Sequence, residues 1–216
     1  MSSSVVVSPD KLQVPPGAVL RLPATWQQYQ QLMRQRGDGS VPRMKYCDGA
    51  VLLMSPLPVH GRDSSLLADI VKTLLDHTGR EYDSFTPVTM DLPDESGVEP
   101  DYCFYIDNWP AVSGKARIDW QQDPPPDLAI EVDVTSYSNV ADYVPYRIPE
   151  IWLWKKQRLQ IYGFQGDAYA VQARSRWFPE WDVVAWVELC MREAGDRNTS
   201  FAIRNLRQRL SAGDVS

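Results

Sequence analysis

Three consecutive prolines lead into the segment that most restricts the fold of this 216-residue chain, Asp127-Leu-Ala-Ile-Glu-Val-Asp-Val134. Proline cannot continue a helix, and the apolar residues that follow alternate with the period of a strand. Leu128, Ile130, Val132 and Val134 fall on one face, and Ala129, Glu131 and Asp133 on the other. The first face must lie against a core. The second places two carboxylates on a hydrophobic strand, which is costly unless something compensates them. Same-face neighbours in a strand sit about 7 Å apart. That is within reach of one shared cation, and a hard, oxygen-preferring ion such as Mg²⁺ or Mn²⁺, completed by water, suits such a pair. The structural alternative is a buried arginine opposite Glu131.

A second acidic strand is Gly97-Val-Glu-Pro-Asp-Tyr-Cys-Phe-Tyr-Ile106. Asp101, Cys103 and Tyr105 share one face, and Tyr102, Phe104 and Ile106 the other. Asp101 therefore opens a largely buried strand. Asp127, directly after proline, reads instead as a turn or capping residue. The expectation is geometric: Asp101, Glu131 and Asp133 converge from neighbouring strands at one end of a sheet.

The remaining patterns assemble an α+β chain around a mixed sheet flanked by helices. Residues 1–22 are proline-rich and read as an irregular arm, and residues 23–212 as one domain. Thr25 and Gln28 have capping-box spacing ahead of a helix that stops near Gly37. Arg43 to Pro56 reads as a β-hairpin about Asp48-Gly49, with its second strand ended by Pro56 and Pro58. A helix runs from about Asp63 to Gly79, carrying Leu66, Leu67, Ile70, Val71, Leu74 and Leu75 at helical spacing. Strands are expected near 84–90, 99–106 and 127–134, then a hairpin at 151–154 and 159–164, with 169–171 as a further strand. Pro145 leaves 138–148 ambiguous, and two helices close the chain near 182–192 and 199–211.

Composition narrows the function classes. A net charge of −6 disfavours a generally basic nucleic-acid binder, so any action on nucleic acid needs a local basic surface or a metal. No run approaches the about 20 apolar residues of a membrane span. Cys47, Cys103 and Cys190 are too few and too scattered for a disulfide framework or zinc site, which points to a reducing cytoplasm. His60 precedes a helix, where a lone histidine is more often structural than catalytic. Trp177, Phe178 and Trp181 read as core, and Arg204, Arg207 and Arg209 as a solvated helix face.

In their order and spacing, several motifs resemble the Uma-type branch of the PD-(D/E)xK nuclease superfamily. They are Arg43-Met-Lys-Tyr-Cys-Asp-Gly49, Met54-Ser-Pro-Leu-Pro-Val-His60, Val98–Ile106, Asp123–Ser136 and Ile148-Pro-Glu-Ile-Trp152. The resemblance spans about Thr25 to Leu189. It implies a restriction-endonuclease-like fold and a metal-dependent endonuclease acting on nucleic acid, DNA foremost, with Mg²⁺ or Mn²⁺ held by Asp101 and Glu131 and a homodimer as one assembly. Asp133 stands where the superfamily often has lysine. Relatives in this branch carry that lysine further on, a few residues before a tyrosine. If Tyr143 matches that tyrosine, Asn139 takes the lysine's place, and Asn can hold neither positive charge nor a base's proton. The remaining basic groups to weigh are Lys45 and Arg147, with His60 as a further auxiliary. Weak cleavage is therefore expected. The alternatives are a nuclease-fold module that binds or assembles without catalysis, and a metal-dependent hydrolase of small phosphoesters.

Overall fold

The computed structural model describes residues 15–37, 39, 41–86, 88–133 and 138–213. The first element is a strand, Val19–Pro23 (β1), so the arm expected over residues 1–22 is not irregular throughout: Val19 to Pro23 pair antiparallel with a later strand. Alternating Leu20 and Leu22 supply the apolar face that seats it. Residues 1–14 of that arm lie outside the described residues.

Helix α1, Trp26–Arg36, starts with the capping box that Thr25 and Gln28 predict, each side chain bonded to the other residue's backbone N–H. Strands β2, Arg43–Cys47, and β3, Ala50–Met54, form the expected hairpin. Asp48 and Gly49 both adopt positive φ, 49° and 66°, as its two-residue turn requires. Helix α2 runs from Pro58 to Thr78, a turn earlier than its apolar periodicity suggests. Pro58, expected as a strand terminator, occupies the first helical turn, where its missing N–H costs nothing.

Short strands β4 (Asp83–Phe85), β5 (Met90–Leu92) and β6 (Ser96–Val98) precede β7, Tyr102–Tyr105. A one-turn helix, α3 (Trp109–Val112), leads toward β8, Leu128–Asp133. Asp127 is not the local turn or cap its position suggests: its Oδ2 accepts the backbone N–H groups of Ile106, Asp107 and Asn108 at 2.7–2.9 Å and so ties down the segment that follows β7. The ambiguous stretch is a 3-10 helix, Val140–Tyr146, with Pro145 inside it and Asn139 as its cap. Strands β9 (Glu150–Lys155), β10 (Arg158–Phe164) and β11 (Tyr169–Gln172) follow. The β9–β10 turn uses Lys156 and Gln157 at positive φ, a conformation the sequence does not advertise. Helices α4 (Val183–Asp196) and α5 (Thr199–Ser211) end the described chain. No described helix is long and apolar enough to cross a membrane.

The strands form two sheets rather than the one expected. The larger has the order β11-β10-β9-β8-β7-β4 and is mixed, since β8 and β9 run parallel and its other pairs antiparallel. The smaller, antiparallel throughout, has the order β1-β3-β2-β6-β5. On one face of the large sheet, Leu128, Ile130, Val132, Trp152 and Trp154 pack with the apolar stripes of α2, α4 and α5. Trp177, Phe178 and Trp181 are buried there too, and Trp181 stacks on Trp186. On the opposite face, Ala129 and Ile151 meet Tyr143, Tyr146 and Ile148, together with Met90 and Val98 from the small sheet. The small sheet has its own core of Met44, Tyr46, Val51 and Leu53 under Trp26 and Tyr29 of α1. Gly97 is required there: a Cβ would stand 2.5 Å from the Tyr29 hydroxyl.

Candidate active site

The β7–β8 register pairs Cys103 with Ala129 and ends at Tyr102 opposite Ile130. Asp101, one residue before β7, also bonds to Ile130, donating its N–H to that carbonyl at 3.1 Å, and so stands beside the stretch of β8 that carries Glu131. The side chain of Asp101 is almost fully buried, and each oxygen is engaged. Oδ2 accepts the Val132 N–H at 2.7 Å and lies 3.3 Å from His60 Nε2 at the start of α2. Oδ1 is paired with Nη1 of Arg43, the first residue of β2. Arg43 Nη2 donates in turn to the carbonyls of Glu99 and Pro100 at 2.7 and 3.0 Å.

Glu131 accepts a hydrogen bond from the Tyr143 hydroxyl on the 3-10 helix. Burial pushes the Glu131 carboxyl above the ordinary glutamate range, against the pull of Arg43, Lys45 and the Tyr143 hydroxyl. Burial and the adjacent carboxylate likewise hold Tyr143 well above its usual value, so it stays a donor. His60 is driven down to about 4 by burial and by Arg43, so it is neutral at pH 7, and its Nε2 stands 3.3 Å from Asp101 Oδ2 without carrying a charge.

Arg43, Lys45, His60, Glu131 and Tyr143 are among the residues that line a cavity of about 50 Å³, and Asp101 lies behind its wall, in contact with Arg43 and His60. Lys45 is ion-paired with Asp142 and lies 5.9 Å from the centroid of the Tyr143 ring. Its presence follows from alternation along β2, where Met44 and Tyr46 turn to the small core and Arg43 and Lys45 turn away from it.

The other sequence-derived candidates do not line this cavity, although Asp133 is close enough to act on the charges of Glu131 and His60. Asp133 is buried, paired with Lys155 Nζ at 2.7 Å and accepting the Ser138 N–H at 3.2 Å. Asn139 is exposed and spends its side chain on the Ala141 N–H, as a cap should. Arg147 is exposed at the end of the 3-10 helix with φ of 54°. None of these three lines the cavity. Two residues that the sequence reading did not single out carry much of the architecture. One is Arg43. The other is Glu99, whose carboxylate takes Arg36 in a two-pronged ion pair, the Met44 N–H at 2.9 Å and the Thr89 hydroxyl at 2.8 Å.

Among the described residues, no group of three His, Cys, Asp or Glu side chains is arranged to hold a metal ion. Asp101 and Glu131 nevertheless offer carboxylate oxygens, the donor type a hard divalent ion takes, and burial disfavours the Glu131 charge that such an ion would relieve.

A mixed sheet flanked by helices, joined to a smaller antiparallel sheet, is an α+β fold. Residues 26–185 match the family model Uma2, described as "Putative restriction endonuclease", and the chain belongs to that family. Its fold is similar to a crystal structure from Anabaena variabilis described as "a putative nuclease belonging to DUF820". The TM-score is 0.53 at 16% identity, covering 87% of this chain and 99% of that one. No curated protein matches the chain. Members of the restriction-endonuclease-like class usually need a divalent metal.

Proposed function

We propose that this chain is a metal-dependent nuclease that hydrolyses phosphodiester bonds, with DNA as the first substrate to test. The observation that supports this reading is the cavity into which Glu131 of β8 faces together with Arg43, Lys45 and His60, with Asp101 held just behind it by Arg43 and the Val132 N–H. Asp101 and Glu131 would hold Mg²⁺ or Mn²⁺. Such an ion, when bound, polarises a phosphoryl oxygen and acidifies a water.

The chain's own residues supply the rest. Tyr143 orients Glu131 by donating to one of its oxygens. Val132 N–H and His60 fix the Asp101 carboxylate from the other side. Lys45 takes the part of the ammonium that Asn139 cannot play: it stands on the cavity wall and carries the charge needed beside a phosphate. Asp142 holds it at that rim and partly offsets its charge, which is consistent with slow rather than vigorous turnover.

Cleavage of supercoiled plasmid and of single-stranded DNA in Mn²⁺ tests this, comparing wild type, Glu131→Ala and Lys45→Met purified identically. Glu131→Ala should abolish cleavage, and Lys45→Met should lower it by about 10²-fold. Equal residual cleavage in wild type and Glu131→Ala would overturn the reading in favour of a non-catalytic binding module. An undiminished Lys45→Met would remove Lys45 from the mechanism.

A further inference from the structure

We infer that Arg43 is a resident counter-cation on Asp101, which a divalent ion has to displace, so that this arginine sets the metal affinity of the site. The inference rests on the metal-dependent reading above and adds to it a competition inside the protein.

The argument begins with burial. The Asp101 side chain is 2% exposed and that of Arg43 is 15% exposed, so neither charge is left to solvent. A carboxylate so deeply placed needs a fixed positive partner, and arginine keeps its charge at any working pH. The guanidinium is held at three points, by Asp101 Oδ1 and by the Glu99 and Pro100 carbonyls. Those carbonyls belong to the segment that leads into Asp101, so the fork clamps the approach to β7 as well as neutralising its acid. An ion bound directly to Asp101 meets that guanidinium on the same carboxylate, and two cations on one buried oxygen repel. Asp101 Oδ2 offers no easy alternative, because Val132 N–H and His60 already engage it. Binding is therefore an exchange at Oδ1. Only Nη1 has to let go, since Nη2 is tethered separately by its two carbonyls.

Mn²⁺ titration of the full chain by calorimetry, with thermal melts in EDTA and in Mn²⁺, tests the exchange in wild type, Arg43→Gln, Arg43→Lys and Asp101→Asn. Arg43→Gln should bind Mn²⁺ about tenfold or more tightly than wild type. It should melt lower than wild type in EDTA and gain more from Mn²⁺, as mass action requires. Asp101→Asn should bind none. Arg43→Lys decides the matter if circular dichroism shows Arg43→Gln unfolded: its single nitrogen replaces a fork that reaches Asp101 through Nη1 and the two carbonyls through Nη2, so it holds Asp101 less firmly and should bind Mn²⁺ more tightly than wild type. Arginine variants that bind no better than wild type, with Asp101→Asn still inert, would overturn the inference and leave the metal reading standing. Absence of Mn²⁺ binding in every variant would remove both.

Discussion

The two sheets differ in how they are held and in what they give the site. The large sheet is covered on both faces, by α2, α4 and α5 on one side and by a smaller apolar cluster on the other. The small sheet has one compact core, in which Trp26, Tyr29 and Tyr46 pack ring against ring under α1. On β8, alternation sends Leu128, Ile130 and Val132 to the helices and turns Glu131 toward the small sheet. On β2, the same alternation sends Met44 and Tyr46 inward and turns Arg43 and Lys45 toward the large sheet. Glu131 comes from one sheet, and Arg43 and Lys45 from the other. The cavity is a seam, and its charge balance exists only when both sheets are assembled.

The largest expected effect lies in the large sheet. Trp152 is fully buried, packs edge-on against Phe178, and donates its indole N–H to Glu150. Trp152→Ala should cost about 3–5 kcal/mol, from lost burial and the cavity left behind. Trp26→Ala in the small sheet should cost less, because Trp26 keeps 7% exposure and sits on the smaller cluster. Urea denaturation of both variants checks the ranking, and equal losses would erase the distinction drawn between the sheets.

The seam itself should respond to pH. His60 is depressed from 6.5 to about 4 in the folded chain, so between those values the unfolded chain binds more protons and acid destabilises the fold. This contribution is fully present above pH 6.5 and is lost as pH falls toward 4, with at most about 3 kcal/mol at stake. Glu131, raised by burial, acts with the opposite sign, its contribution being lost as pH rises above the ordinary glutamate range. Comparing His60→Gln with wild type isolates the histidine term: its stability curve should be flatter between pH 6.5 and 4. Parallel curves would show that His60 is not held neutral by Arg43 and burial.

Much of this architecture is legible in the sequence because it depends on local periodicity. The faces of β8, the Asp48-Gly49 turn and the Thr25 box each follow from a few adjacent residues. What the sequence hides are partnerships between distant segments. Arg43 meets Asp101 across 58 positions, and Arg36 meets Glu99 across 63, with no local pattern to announce either. Counting back from Tyr143 points to Asn139 as the lysine's substitute, yet that side chain is consumed by a helix cap, which a count of positions cannot reveal. The Lys156-Gln157 turn is hidden for another reason: tight β9–β10 pairing imposes positive φ on residues that do not favour it.

The smallest expected effect sharpens the comparison most. Thr25 is exposed, and its hydroxyl accepts the Gln28 N–H at 3.3 Å while the Gln28 side chain accepts the Thr25 N–H at 2.8 Å. Thr25→Ala removes one of these bonds and should cost about 1 kcal/mol, a fall of about 2–4 °C in melting temperature for a chain of this size. The helix it loosens covers the small core through Trp26 and Tyr29 and ends at Arg36, which grips Glu99 beside the seam. Weakening therefore begins at α1 and reaches β2 before it reaches β8. Amide exchange should accelerate across Arg43–Met54 in Thr25→Ala and stay unchanged across Leu128–Asp133 and Glu150–Lys155, because a local opening need not involve the better-buried sheet. If exchange rises equally in both, the two sheets open as one unit, and the assembly of the charged seam cannot be separated from the folding of the whole chain.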